Sequence, residues 1–443
     1  MEKDLTSGSV FRNIAYFSLP YLLSYFLQTL YGMADLFIIG QFNGVGDITA
    51  VSVGSQVMHM LTVMIVGLAM GSTVSIGKAV GAKRPEHAMA AIGNTVTLFL
   101  GVSVACMVLL LGLVKQIVFL MSTPEEAVAG AITYLTICFI GVPFITAYNI
   151  ISSIFRGLGD SKSPMYFIAV SCGANIALDY LFIGVFRMGT AGAALGTTMS
   201  QTISVLLALV VISKKKAGIK LKRKHFKPQR ETLGPILKVG LPVALQDGFI
   251  QIAFIVITVI ANRRGLNDAA AVGIVEKVIG VVFLVPSTML STVSALSAQN
   301  IGAGKHERAA QSLRYAVFLT VGYGLVVSVI TQFIAASVVG MFTEDTEVIL
   351  LGSQYLKGYI WDCIFAGIHF SFSGYFCAYG MSGISFLHNF LSIVCVRIPG
   401  AFLASAYFAD TLFPMGLAAP VGSLLSVFIC VAAFLWMRRR LLS

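Results

Sequence analysis

The sequence predicts an all-α polytopic membrane protein of twelve transmembrane helices in two pseudo-twofold-related six-helix lobes. Three observations carry that expectation. Of the 443 residues only 11% are charged and 57% are apolar, and the mean hydropathy of +0.88 is far above that of a soluble core with a wetted surface. The apolar runs are long enough to cross roughly 30 Å of hydrocarbon, which takes about 20 residues; the chain has room for about a dozen of them but for no sizeable soluble domain. The second half also repeats the first at a nearly constant offset.

Apolar runs bounded by polar or Gly/Pro punctuation predict helices near 14–40, 48–76, 88–112, 128–155, 163–186 and 191–213. The second set falls near 233–262, 269–299, 308–341, 347–378, 384–408 and 413–437. The opening MEKDLTSGSV is polar, and the apolar stretch behind it is too long for a signal-peptide core and lacks a small-residue cleavage pattern, so it is read as helix one. The chain then divides into an N-lobe at 1–213, a basic cytoplasmic linker at 214–232 and a C-lobe at 233–443. With the N-terminus inside, Lys78, Lys83, Arg84, Arg156, Lys162, Lys305, Arg308 and Arg438 to Arg440 face the cytoplasm, while Glu125, Glu126, Glu344, Asp345, Glu347 and Asp410 face out. Lys115, Arg187, Arg263 and Arg264 run against that rule. Both termini are expected in the cytoplasm and the chain in a bacterial cytoplasmic membrane.

The net charge of +11 is concentrated in the linker SKKKAGIKLKRKHFKPQRE from Ser213, which holds nine Lys or Arg. It is read as a topological anchor that also suits anionic lipid head groups. No aromatic interleaving or nucleic-acid motif accompanies it, so no nucleic-acid partner is expected. The seven cysteines all lie in apolar segments without a CxxC or Cys/His cluster, as small packing residues do. No metal-protease motif, nucleophile elbow or Walker loop is present, which argues against an enzyme and against a cofactor.

At an offset of 221, Ala50-Val51 meets Ala271-Val272, Gly81-Ala82 meets Gly302-Ala303, Glu86 and Ala88 meet Glu307 and Ala309, and Gly159 and Ser161 meet Gly380 and Ser382. Pro20 meets Pro242 at nearly the same offset. An even number of crossings per half means both copies enter from the same side, related by an axis along the membrane normal. Two such bundles are expected to enclose a cleft and to rock about it, as a carrier does.

Acids and bases in hydrocarbon are costly, which makes each one a candidate site. The first half holds Asp35 in helix one and Asp179 in helix five, with Asn175 one helical turn before Asp179. Two neighbouring carboxylates in a poorly solvated pocket suit a proton or, with Asn175, a sodium ion. The second half holds Asp247, Glu276 and Asp362, with Lys277, Lys357, His369 and Arg397 at similar depth. Asp362 and Arg397 suit either a structural ion pair or a substrate site, and Asp247 and Glu276 leave the same choice open. His369 reads as a hydrogen-bonded interior group. The stretch His369, Phe370, Phe372, Tyr375, Phe376 and Tyr379 suits packing, and secondarily stacking on flat or cationic ligands. Pro20, Pro143, Pro242, Pro286 and Pro399 are expected to break helices from within. Pro20, on the helix of Asp35, is placed to gate the first-half pocket.

Taken in order, Pro20 with Asp35 and Gly40, Gly-Ala-Lys at 81–83, Phe-Arg-Gly-Leu-Gly-Asp at 155–160, Gly-Thr-Ala-Gly-Ala-Ala at 189–194 and Gln-Asn-Ile-Gly-Ala-Gly-Lys at 299–305 resemble the multidrug and toxic compound extrusion (MATE) family over essentially the whole chain. The resemblance implies a monomeric antiporter in the lipid bilayer that exports small organic, often cationic, compounds in exchange for protons or sodium. It also implies that Asp35, Asn175 and Asp179 couple the ion, as in the DinF-like branch. Asp362 stands where other members place an essential acid. The alternative is a lipid-linked precursor or polysaccharide flippase of related architecture.

Overall fold

The computed structural model describes residues 4–214 and 221–442, and over these it is helical without strands. Lys215, Lys216 and Lys220 of the basic linker lie outside the described residues. With no water to take backbone hydrogen bonds, a spanning segment must satisfy them within itself, and the helix does so. The helices are α1 (Val10–Phe42), α2 (Val45–Gly81), α3 (Pro85–Leu120), α4 (Glu125–Ile140), α5 (Val142–Gly157), α6 (Lys162–Asp179), α7 (Gly189–Lys214) and α8 (Arg230–Arg264). They continue with α9 (Leu266–Val282), α10 (Leu284–Gly302), α11 (His306–Gly340), α12 (Thr346–Tyr359), α13 (Asp362–Tyr379), α14 (Ser382–Ser392), α15 (Ile398–Tyr407) and α16 (Phe413–Leu442). Most run a turn or more beyond the sequence-based bounds, because polar end residues such as Glu86 and Lys115 stay in helical conformation.

Among the described residues ten helical spans are long and apolar enough to cross a membrane, eleven when α4 and α5, bent by 50° at Gly141, count as one. The twelfth runs through α12 and α13, where Lys357, Asp362 and His369 dilute its apolar character. The large side chains left exposed, such as Phe119, Leu120 and Phe333, are those a hydrocarbon solvent covers.

Pro143, Pro286 and Pro399 interrupt spans as expected. Pro143 follows the 50° bend between α4 and α5, Pro286 follows the break at Phe283 inside the span Leu266–Gly302, and Pro399 follows a π-helical segment inside Ser382–Tyr407. Pro20 lies inside the unbroken α1, and Pro242 falls within the span of α8.

The repeat is written in the backbone as well as in the side chains. Lys83 and Gly304 both take positive φ, 54° and 71°, as do Gly159 and Gly380, at 88° and 77°. Around the first pair, Arg84 N–H bonds the Ala79 carbonyl (3.0 Å) as Lys305 N–H bonds that of Asn300 (2.8 Å). Around the second, Asp160 N–H bonds Phe155 (2.9 Å) as Met381 N–H bonds Phe376 (2.8 Å). These are matching left-handed helix stops, which the Gly-rich motifs encode.

The helices form two compact units, one built on Tyr16–Gly240 and the other on Leu5–Ala15 with the chain from Leu241 onward. The division differs from the expected 213/233 boundary: the linker end and the first turns of α8 pack with the first unit, and the amino-terminal segment packs with the second. In the first unit Asn94 brackets the linker, donating to the His225 carbonyl (3.0 Å) and accepting from Gln229 N–H (2.8 Å). Lys224 also pairs with Glu86 at 2.9 Å.

In the second unit the motif at 299–305 grips the amino-terminal strap. Gln299 Oε1 accepts from Leu5 N–H (3.3 Å), and Asn300 donates to the Leu5 carbonyl (3.3 Å). Lys305 donates to Thr6 (2.8 Å), and Arg308 donates to Gly8 (2.9 Å) and Ser7 (3.2 Å). Arg264, one of the residues against the charge rule, is consumed locally. It pairs with Asp268 (2.8 Å) and donates to the carbonyls of Ser405, Phe408 and Ala409 at 2.8–3.1 Å.

Replacing Arg308 with Ala removes both donors to Ser7 and Gly8, charge-assisted bonds of about 1.5–3 kcal/mol each. Amide exchange measured across residues 5–9 is expected to speed up by at least about tenfold in that variant.

Candidate functional site

In the first unit three helices converge on one buried pocket. α1 supplies Asp35, the last turn of α6 supplies Asn175 and Asp179 one turn apart, and α7 supplies Gly196 and Thr197. A π-helical segment, Tyr180–Val185, begins directly after Asp179. Such one-residue expansions re-aim the preceding turn and recur at functional sites. Asp35 is 2% exposed, and Asn175 and Asp179 are 0% exposed.

Asp35 lies within interaction range of both Asp179 and Asn175. Even so, the Thr197 hydroxyl, donating at 2.9 Å, makes the hydrogen bond to its Oδ2. Asp35 Oδ1, both oxygens of Asp179 and both polar atoms of Asn175 are buried without a hydrogen-bond partner among the described residues. No Lys, Arg or His pairs with these carboxylates there. Gly196 makes the space: a Cβ in its place would collide with Asp179 Oδ1. The result is an oxygen-rich cage of two carboxyl groups and an amide, suited to a hard monovalent cation or a proton. Among the described residues no three His, Cys, Asp or Glu gather as a ligand set for a transition metal.

The second-unit candidates separate into four places. Asp362, 0% exposed, is paired with Arg397, whose Nη2 donates to Oδ2 at 3.1 Å and to Ser423 Oγ. His369 joins the same network through Ser423 (3.3 Å) and stands 5.3 Å, ring to ring, from His388, which in turn meets Ser373 at 2.9 Å. His369 is therefore one of a histidine pair rather than a lone group. Glu276 accepts from the Thr258 hydroxyl at 3.2 Å, and the half-buried Asp247 has no such partner among the described residues. Tyr375 is 3% exposed and packs edge-on against Phe434, 5.6 Å between ring centroids.

Sequence reasoning missed Thr197, Gly196, His388 and Ser423. A search for intramembrane charge passes over hydroxyls and glycines, which are common in membrane helices. Thr197 could have been reached from the small-residue run beginning at Gly189, on the helix that packs beside α6.

The MatE family model matches residues 20–181 and 242–403. The chain is 30% identical over 436 residues, 98% of it and 96% of the relative, to the probable multidrug resistance protein YpnP of Bacillus subtilis. It is 26% identical to the multidrug export protein MepA of Staphylococcus aureus, over 91% of this chain and 89% of that one. Its fold matches a MOP-superfamily transporter from Pyrococcus furiosus, described as having a binding pocket of reversed polarity, with a TM-score of 0.91, 23% identity and coverage of 99% and 97% of the two chains.

Because Gly196 alone leaves room for Asp179 Oδ1, Gly196→Ala is expected to raise the sodium or proton concentration that half-stabilises the purified protein against heat by at least about tenfold. Melting curves across sodium concentration and pH would read this out. An unchanged response would remove Asp179 from the cage.

Proposed function

The chain belongs to the MatE family of multidrug transporters, and from that premise we propose that it exports small organic compounds in antiport with protons or sodium, by alternating access. The observation that carries the reading is the first-unit cage. Two carboxylates and an amide sit at 0–2% exposure with five polar atoms unpartnered and no basic side chain paired to them among the described residues. A structural role would be served better by satisfied pairs, since an uncompensated buried carboxylate costs several kcal/mol. Taking up a cation offsets that cost and releasing it restores it, which ties cation occupancy to the conformation of the unit.

The substrates are amphipathic organic cations. Multidrug export is the named role of relatives such as MepA, and the carboxyl groups of the cage, when ionised, attract cations. Asp35, Asn175, Asp179 and Thr197 bind the coupling ion, and Pro20 relaxes α1, the helix that carries Asp35. The protein works in a bacterial cytoplasmic membrane with both termini in the cytoplasm, a placement supported by the basic linker and by the bacterial relatives. Both repeats lie in one chain, so a monomer suffices.

In proteoliposomes with an imposed sodium or proton gradient, the wild-type protein is expected to expel several cationic dyes with measurable counter-ion movement. Asp35→Asn is expected to fold yet to lose gradient-driven efflux by at least about tenfold, the effect of removing one charged ligand. Undiminished efflux from that variant would refute the assignment. Absence of counter-ion flux with every dye would favour a flippase instead.

A further inference from the structure

The two segments matched by the family model are equal in length, with 20 standing against 242 and 181 against 403, an offset of 222 at both ends. Between them the backbone stops at Gly159 and Gly380 keep an offset of 221. The extra residue is accounted for by the π-helical segment Ile393–Arg397 between α14 and α15, since a π turn takes in one residue more than an α turn. Arg397, its last residue, therefore stands at the position that Asn175 holds in the first repeat. By the same offset Asp179 stands against Ala401, and at offsets of 221 and 222 Asp35 stands against Val256 and Ile257, all of them in one hydrophobic cluster of the second unit. The two carboxyl groups of the first-unit cage thus have apolar counterparts there. A guanidinium takes the place of the amide, and α13 supplies a carboxylate, Asp362, to meet it.

The geometry around Arg397 is that of a side chain fitted in place. Nη2 lies 3.4 and 3.1 Å from the two oxygens of Asp362 and bonds Ser423. The Arg397 side chain is 13% exposed and covers an acid that is 0% exposed. Its stem passes Gly422, where a Cβ would come within 2.5 Å of Arg397 Cγ and 2.8 Å of Ser392 Oγ. The remaining neighbours are His369 through Ser423 with His388 beyond it, and Tyr355 and Tyr359, which stand within electrostatic range of Asp362 and Arg397 and also of Glu276.

We propose that Arg397 is a tethered cation that permanently occupies the second unit's carboxylate. The chain therefore exchanges coupling cations through the first unit alone, and a cation site lies latent beneath Arg397. The inference rests on the reading of the first-unit cage as the exchangeable site. Substituting the residue that the other repeat carries, R397N, vacates Asp362 and leaves a cavity of guanidinium size beside Ser423.

The test measures melting temperature of the full-length protein with methylguanidinium, sodium or acid, in R397N, in D362N/R397N and in wild type. R397N is expected to be less stable than wild type and to regain about 3 °C or more with methylguanidinium. D362N/R397N, which has no charge to compensate, is expected to gain nothing beyond the wild-type response. If R397N is as stable as wild type, or if no cation stabilises it beyond D362N/R397N, the proposal is overturned. Repeating the series on a D35N/D179N background separates the two readings, because any cation response that R397N adds there belongs to the second unit. Gradient-driven export that persists in D35N/D179N and stops on adding D362N would overturn the one-unit claim. Export that persists through both changes would refute only the first-unit reading.

Discussion

What governs this chain is the cost of leaving a polar atom without a partner where water is scarce. Backbone groups meet that demand by closing into helices, and side chains meet it in three different ways. Hydroxyls of Thr and Ser mostly bond carbonyls one turn back, as Thr62, Thr136 and Thr258 do. Arg264 and Arg308 spend their donors on loop carbonyls near helix ends. Asp35, Asn175 and Asp179 gather at almost zero exposure with five atoms unserved among the described residues. That gathering is the basis of the proposed cation site, whereas in the second unit an acid, Asp362, is met by an arginine, Arg397.

Gene duplication supplied the frame and the two halves then diverged in chemistry. The stops at Lys83 and Gly304 and at Gly159 and Gly380 are conformationally equivalent even where the residue type differs. Backbone geometry is thus retained where side-chain identity is not. In the fifth span of each half a π-helical segment interrupts the helix, at Tyr180–Val185 in one and at Ile393–Arg397 in the other. The two insertions sit at different points along the span, so each lobe aims a different side chain inward from a similar scaffold.

Much of this was legible in the residues. Hydropathy and the repeat yielded the twelve spans and the two-part organisation, and rarity of intramembrane charge led to Asp35, Asp179, Asp362 and Arg397. Prolines pointed to the helix breaks to within a few residues: the α4/α5 bend falls at Gly141, just before Pro143, and the α9/α10 break at Phe283, just before Pro286. Among the uncharged participants Asn175 was read and the others were not. Thr197 and Gly196 act through a hydroxyl and an absent methyl, neither of which stands out in a sequence where glycine and hydroxyl residues are plentiful. The membership of residues 5–15 in the second unit also escaped, because it depends on bonds spanning some 294–301 positions.

Those long bonds have a bearing on biogenesis. The strap at Leu5–Gly8 emerges from the ribosome first, and its docking partners Gln299 to Arg308 emerge some three hundred residues later. At 5–20 residues per second that is a wait of roughly 15–60 s. During the interval the strap lacks these partners, so its docking closes only once the second span of the second half, Leu266–Gly302, has been made. The same residues that anchor the strap therefore also mark the point at which the second unit begins to assemble around it.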